Sequence, residues 1–338
     1  MRRLGSALCL VILIVIIPLL RQPTLVCAQP GGAEHGQGII IELDNKFIKD
    51  FENRATITSK YKIAKLSAVH LPKNDGEVHV GGWCFAAGLP CVAEVMNAKS
   101  GDQGAKARLA LAQAARSDKE VTITGAWRIW GEHPGTAAQI QAIGTEPKFP
   151  LHGEAPSNPD HVFEIHPVTT VQVGDKRTDA TTAIGDTPGF TPHDAEKAFV
   201  LGYEKLTCKI VPKNNRTRII TRSLGYNFTD FVIRLNEDPV ELEDGHGVIC
   251  SVYDTDGELL LRGLRMVFIK GTAADEEVAV HKKDARLRVT GIPRISLKLL
   301  QWRLDHKDDP KYDVSPLEWH LPYEMIIVAA AALEGTDE

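Results

Sequence analysis

The sequence predicts a mainly β protein: an OB-like five-stranded barrel followed by a second β-rich domain that reads as a duplication of the first. Three observations carry this. The order of candidate elements over residues 60–173 is three strands, a helix and two strands, the order of the small Greek-key barrel with a helix between its third and fourth strands. Four blocks of the first half recur in order in the second. Hydrophobic residues make up 43% of the chain, enough for real cores.

The first three strands are expected at Lys62–His70, Val78–Phe85 and Val92–Met96, with Asn74-Asp75-Gly76 as the turn between the first two. Lys106–Arg116 is rich in Ala and Leu without Gly or Pro and reads as the helix. Strands resume at Val121–Trp130 and His161–Val171. The intervening loop, residues 131–160, carries five prolines and is expected to hold no regular element. Residues 29–59 form an N-terminal extension: a Gly-rich opening, then an amphipathic piece around Ile39 to Phe51. Residues 174–198 read as a linker and short helix, with Thr191 as the cap and Pro192 at the first helical position. The second β-rich domain spans 199–332 and a tail covers 333–338.

The repeat aligns Leu66 with Leu235, Asp75-Gly76 with Asp244-Gly245, Val121–Ile129 with Leu287–Ile295, and Phe163-Glu164-Ile165 with Tyr323-Glu324-Met325. The offsets are 169, 169, 166 and 160 residues, so the blocks stay collinear. Ala273–Arg286 is then the counterpart helix. Strands of Val, Ile, Thr and Gly resemble one another by composition alone, which is the competing explanation.

The N-terminus has the order of a secretory signal over residues 1–28. Met1-Arg2-Arg3 precedes an apolar run from Leu4 to Leu20, and Val26-Cys27-Ala28 offers a cleavage site. The expected product is exported: periplasmic, secreted or envelope-associated. Membrane attachment would come only from leaving that segment uncleaved. Removing Arg2, Arg3 and Arg21 leaves 36 Lys+Arg against 44 Asp+Glu, a net charge of −8. That balance disfavours nucleic acid as a ligand. Cys84, Cys91, Cys208 and Cys250 remain as disulfide candidates, most simply paired as Cys84 with Cys91 and Cys208 with Cys250.

Two constellations suggest chemistry. In a strand at His161–Val168, Glu164 and His166 share a face. They are the candidate catalytic pair, a general base or two metal ligands, with His79 and His133 as further ligands beside His166. The plainer role for Glu164 and His166 is closing a barrel end through hydrogen bonds. Trp83, Phe85, Trp127 and Trp130 are candidate binding residues, because OB barrels stack extended polymers on aromatic faces; core packing is the plainer role for these too. No G-x-S-x-G, P-loop, G-x-G-x-x-G or H-E-x-x-H is present in the sequence. The leading expectation is therefore a non-catalytic module binding a saccharide or protein partner. No cofactor is required, although a divalent metal fits the His and Glu residues. A metal-dependent hydrolase using Glu164 and His166 and a structural envelope protein are the alternatives.

The first half also resembles a poorly characterised group of exported bacterial proteins with an OB-like barrel. The likeness rests on Glu164-Ile165-His166-Pro167-Val168, a Glu-x-His-Pro-Val signature in the last strand. Asp75-Gly76-Glu77-Val78-His79-Val80 and Val92-Ala93-Glu94-Val95 accompany it, and together they cover about residues 62–171. Trp127 to His133 departs from the Gly/Phe-rich segment of that group. The resemblance implies fold and export, and no reaction.

Overall fold

A computed structural model describes residues 38–99, 102–117, 119–145, 157–180, 190–309 and 319–333. The expected signal, the Gly-rich opening and residues 181–189 of the expected linker lie outside these residues. In the first half the elements are β1 (Ile39–Asp44), α1 (Asn45–Phe51), β2 (Thr56–Leu66), β3 (Val78–Cys84) and β4 (Leu89–Val95). They continue as α2 (Asp102–Ala114), β5 (Val121–His133), β6 (Gln139–Ile140), β7 (His161–Val173) and β8 (Lys176–Asp179). The second half opens with β9 (His193–Asp194), α3 (Ala195–Phe199), β10 (Thr207–Lys213), β11 (Arg216–Thr221), β12 (Thr229–Leu235) and β13 (Val240–Leu242). It ends with β14 (Gly245–Tyr253), β15 (Leu259–Ile269), α4 (Ala273–Ala279), β16 (Arg286–Ile295), α5 (Leu297–Asp305), β17 (Trp319–His320) and β18 (Tyr323–Ala332).

Each half closes a five-stranded barrel. In the first, neighbours run β2-β3-β4-β7-β5 and back to β2; the closing pair β4–β7 is parallel and matches Val92 with Glu164. In the second, β12-β14-β15-β18-β16 closes in the same way, with β15–β18 parallel. The helix lies between the third and fourth strands both times, α2 in one barrel and α4 in the other. The repeated blocks of the fourth and fifth strands coincide in register, whereas the first two fall on the same parts of the barrel but are offset: Leu235 takes the place of Ile63 and Gly245 that of Glu77. The chain is thus two OB-like barrels in tandem.

Local rules explain the elements. Ala107, Leu111 and Ala114 recur at helical spacing and form the buried face of α2. Gly125 lets β5 and β7 approach, because a Cβ there would lie 2.3 Å from the Pro167 carbonyl oxygen. Gly76 turns the chain into β3 with φ of 70°.

Several expected boundaries shift. The extension is not separate from the barrels: β1 pairs along its whole length with β11 and joins β10, β17 and β6 in a third sheet. β2 begins at Thr56, inside the expected extension. The proline-rich loop does contain a strand, because Ile41 and Glu42 of β1 offer a parallel edge to β6. The linker region holds β8, which turns back on β7 through Gly174. The cap of α3 is Asp194, whose carboxylate accepts from the Lys197 amide, and Pro192 precedes the helix.

Candidate metal centre

The β-ladder of the first barrel gathers a buried ionic cluster on its outer face, where the second half covers it: the His166 ring packs edge-on against Phe228, with centroids 5.3 Å apart. Register alone sets most of it. Arg128 of β5 lies opposite Glu164 of β7, and His79 of β3 lies opposite Glu94 of β4. His166 follows Glu164 by two residues and so shares its face. Glu77 enters from the turn before β3. Glu77, Glu94, Glu164, His161, His166 and Arg128 are all buried.

His166 is the centre. Its Nε2 hydrogen-bonds the Glu77 carboxylate at 3.0 Å. Its Nδ1 lies 2.9 Å from Glu94 Oε2 and 3.5 Å from Glu164 Oε2. His166 Nδ1 and Glu94 Oε2 therefore meet as a buried ion pair, although neither makes a well-aligned hydrogen bond. The other oxygen of Glu94 lies 3.5 Å from His79 Nε2. Glu164 is held by Arg128, which also bonds Glu132. His161 faces Glu164 at 3.3 Å and makes a hydrogen bond with the Pro159 carbonyl through Nδ1.

Burial and charge compete at each group. Burial pushes the Glu77 carboxyl up to about 8, only partly opposed by His166. Burial acts the same way on Glu94 and Glu164, but cations overcome it. His166 and His79 bring Glu94 down to about 2, and Arg128 with the two imidazoles holds Glu164 well below the carboxylate range. His166 is disfavoured as a cation by burial, yet Glu94 and Glu77 raise it well above the usual imidazole value. His79 is the reverse case, lowered chiefly by burial.

One ligand atom each from Glu77, Glu94 and His166 lies within 4.8 Å of the others, so this buried triad can hold a metal ion. Two carboxylates and an imidazole form a donor set suited to borderline divalent cations such as zinc, manganese or iron. A cation bound between Nδ1 and Oε2 would replace the ion pair that these two atoms make with each other. Compared with known proteins, the chain matches no protein-family model and no curated sequence.

The expected site residues fare unevenly. His166 is central and His79 adjoins it through Glu94, but His133 stands apart. It is half-exposed and stacks on His161 at 5.6 Å between ring centroids. Glu164 is not a free base, because Arg128 binds it in the interior. The aromatic candidates lie mostly inside. Trp127 and Trp130 are core residues whose indole N–H groups donate to the Arg54 and Leu224 carbonyls, Trp83 is buried, and Phe85 is half-buried. The three tryptophans thus take the plainer role of core packing, and Phe85 alone stays partly exposed.

All four cysteines are buried thiols. Cys84 and Cys91 sit on the neighbouring strands β3 and β4. Cys208 sits on β10 against Arg303 and the His320 carbonyl, whereas Cys250 sits on β14 of another sheet. Glu77, Glu94 and Arg128 were missed as site residues. A signal existed for Glu94, a lone charge inside the apolar run Val92-Ala93-Glu94-Val95-Met96.

Proposed function

We propose that this is an exported, non-catalytic tandem-barrel protein whose first barrel carries a divalent cation on Glu77, Glu94 and His166. The supporting observation is the difference between the halves. Arg128 opposite Glu164 recurs as Arg294 opposite Glu324, so an Arg–Glu pair belongs to the architecture of both barrels. The triad does not recur. Ala93 pairs with Ile165 as Met266 pairs with Met325, which makes Val267 the counterpart of Glu94 and Ile326 that of His166. His79 faces Glu94 as Gly247 faces Val267, so Gly245 stands for Glu77. The second barrel satisfies its lone Glu324 with Arg294, Arg265 and Ser296. The first barrel adds two carboxylates and a histidine beyond what the fold requires.

Burial favours a structural ion over a catalytic one. A hydrolytic metal keeps a position open to water and substrate. Here Glu77, Glu94 and His166 are 1%, 3% and 0% exposed. The test is metal analysis of purified, metal-reconstituted protein beside His166→Ala and Glu94→Gln. One equivalent in the wild type, lost in both variants, is expected; a metal-free wild type sinks the reading.

A groove of about 690 Å³ supports a second role, partner binding, and moves it to the second barrel. It lies over β14 and β15, the strand pair that carries ligands in OB folds. Val248 and Leu264 contribute its apolar floor, with Leu299 and Trp302 of α5 as an exposed wall. The rim mixes Lys49 and Lys298 with Glu241 and Glu243, and β13 ends the sheet beside it. Mixed charge next to a sheet edge suits an extended protein segment better than a saccharide. Leu299→Asp should abolish retention of peptides selected from a library on the wild type. Undiminished retention removes the groove.

A further inference from the structure

The buried triad has one side that leads outward. Glu94 is shared: Oε2 faces His166 and Oε1 faces His79. The His79 ring packs edge-on against His70, with centroids 4.4 Å apart. His70 Nδ1 lies 2.8 Å from Asp75 Oδ1. Side-chain exposure along this line is 4% at Glu94, 14% at His79, 30% at His70 and 21% at Asp75, so its outer pair is more open than its inner one. Nitrogen- and oxygen-bearing side chains therefore form a row from the part-exposed Asp75 and His70 to the buried Glu94–His166 pair.

The opposite side is a poorer approach. Exposed His133 stacks on His161, and His161 faces Glu164. Glu164 is outside the triad, and the Arg128 guanidinium covers it. A cation arriving there would meet a fixed positive charge in the interior, where like charges repel strongly.

We propose that Asp75, His70 and His79 are the entry path by which a divalent cation reaches Glu94, His166 and Glu77, a reading that rests on the cation site proposed above. A dehydrated ion cannot cross protein unaided, because losing its hydration costs far more than thermal energy. Ligands spaced a few ångströms apart replace the water in steps. Asp75 meets the hydrated ion, the two imidazoles relay it, and Glu94 turns it onto His166.

Asp75 also has a structural task, since its Oδ1 accepts from the Glu77 amide at 3.0 Å and holds the turn. The experiment has to separate that from transit. A path residue alters uptake and release equally, whereas a ligand or a turn-holding residue alters affinity or stability. The measurement is stopped-flow uptake and chelator-driven release of cobalt(II), followed by its visible bands, in the full-length protein. In the double variant His70→Gln/His79→Gln, both rates should fall by about tenfold or more while Kd stays unchanged. Asp75→Asn keeps an acceptor for the Glu77 amide but loses the charge, and should slow both rates without lowering Tm. His133→Gln should leave both rates as they are. Wild-type rates in both the double variant and Asp75→Asn overturn the path, as does a change in only one of the two rates, which shifts Kd. A wild-type protein that binds no cobalt overturns the site itself, and the path with it.

Discussion

Arg128 and Arg294 reach across the seam between the barrels in a reciprocal exchange. Arg128 Nε donates to the Pro293 carbonyl at 2.9 Å, and Arg294 donates to the Trp127 carbonyl at 3.0 Å. Each guanidinium thus binds the peptide just before the other arginine. Each also neutralises a buried glutamate of its own barrel, Glu164 or Glu324. The duplicated pair therefore serves twice, within a barrel and between barrels.

Removing either arginine should consequently be severe. Arg128→Met leaves Glu164 buried with its main cation gone, which costs about 3–5 kcal/mol. The double variant Arg128→Met/Glu164→Leu should be markedly less destabilised than the single one, because the uncompensated charge is gone. Urea unfolding of the three proteins checks this, and equal losses in single and double variants would refute it.

Trp127 belongs to the same seam. Its ring lies under the Arg294 guanidinium at 3.6 Å, and the side chain is wholly buried. Trp127→Ala should lower stability by about 3–5 kcal/mol through the cavity and the lost cation–π contact. Peptide retention by the second-barrel groove, measured below the variant's Tm, should not change.

The pH dependence follows from Glu324. Burial alone would raise its pKa, but Arg294 and Arg265, with hydrogen bonds from Arg294 and Ser296, hold it below the ordinary 4.5. A depressed carboxylate contributes stability that is present above its unfolded value and lost as pH falls through the folded one. Wild-type Tm should therefore decline below about pH 4.5. Glu324→Gln should start lower and show a shallower acid decline. A variant with the full wild-type slope would place that dependence on other carboxylates.

The barrels were legible because β-forming runs are bounded by turn residues, as in Val78–Cys84 after Asn74-Asp75-Gly76, although that strand is buried on both faces and alternating burial is clear only in strands such as Thr56–Leu66. The duplication was legible too, since Val121–Ile129 and Leu287–Ile295 keep the same strand, glycine and arginine. Pairings between distant segments were not. Nothing local in Ile39–Asp44 announces that it will zip onto Arg216–Thr221, because neither strand alone specifies its partner. The aromatics misled for a related reason: spacing shows that Trp83 and Phe85 share a face but not which face is inside. Glu164 and His166 could be paired from alternation. Glu77 and Glu94 needed the ladder, because only the register brings separate strands onto one imidazole.

The second barrel suggests how to remove the cation site without breaking the fold. At the positions of Glu94 and His166 it carries Val267 and Ile326, both wholly buried. Substituting Glu94→Val and His166→Ile, with Glu77→Met so that no carboxylate is stranded, converts the cluster to an apolar interior around the remaining Arg128–Glu164 pair. Replacing buried ionic groups by packed hydrophobic ones is often neutral or stabilising. The triple variant should fold cooperatively, bind no cobalt and show the same Tm with and without a chelator. The wild type should lose stability on chelation, because an ion bound only to the folded state raises its stability by mass action. His166→Ala alone should behave differently from the triple variant, destabilised in either condition because Glu77 and Glu94 then face each other unpaired. A chelator-sensitive triple variant, or a wild type indifferent to chelation, would contradict the assignment.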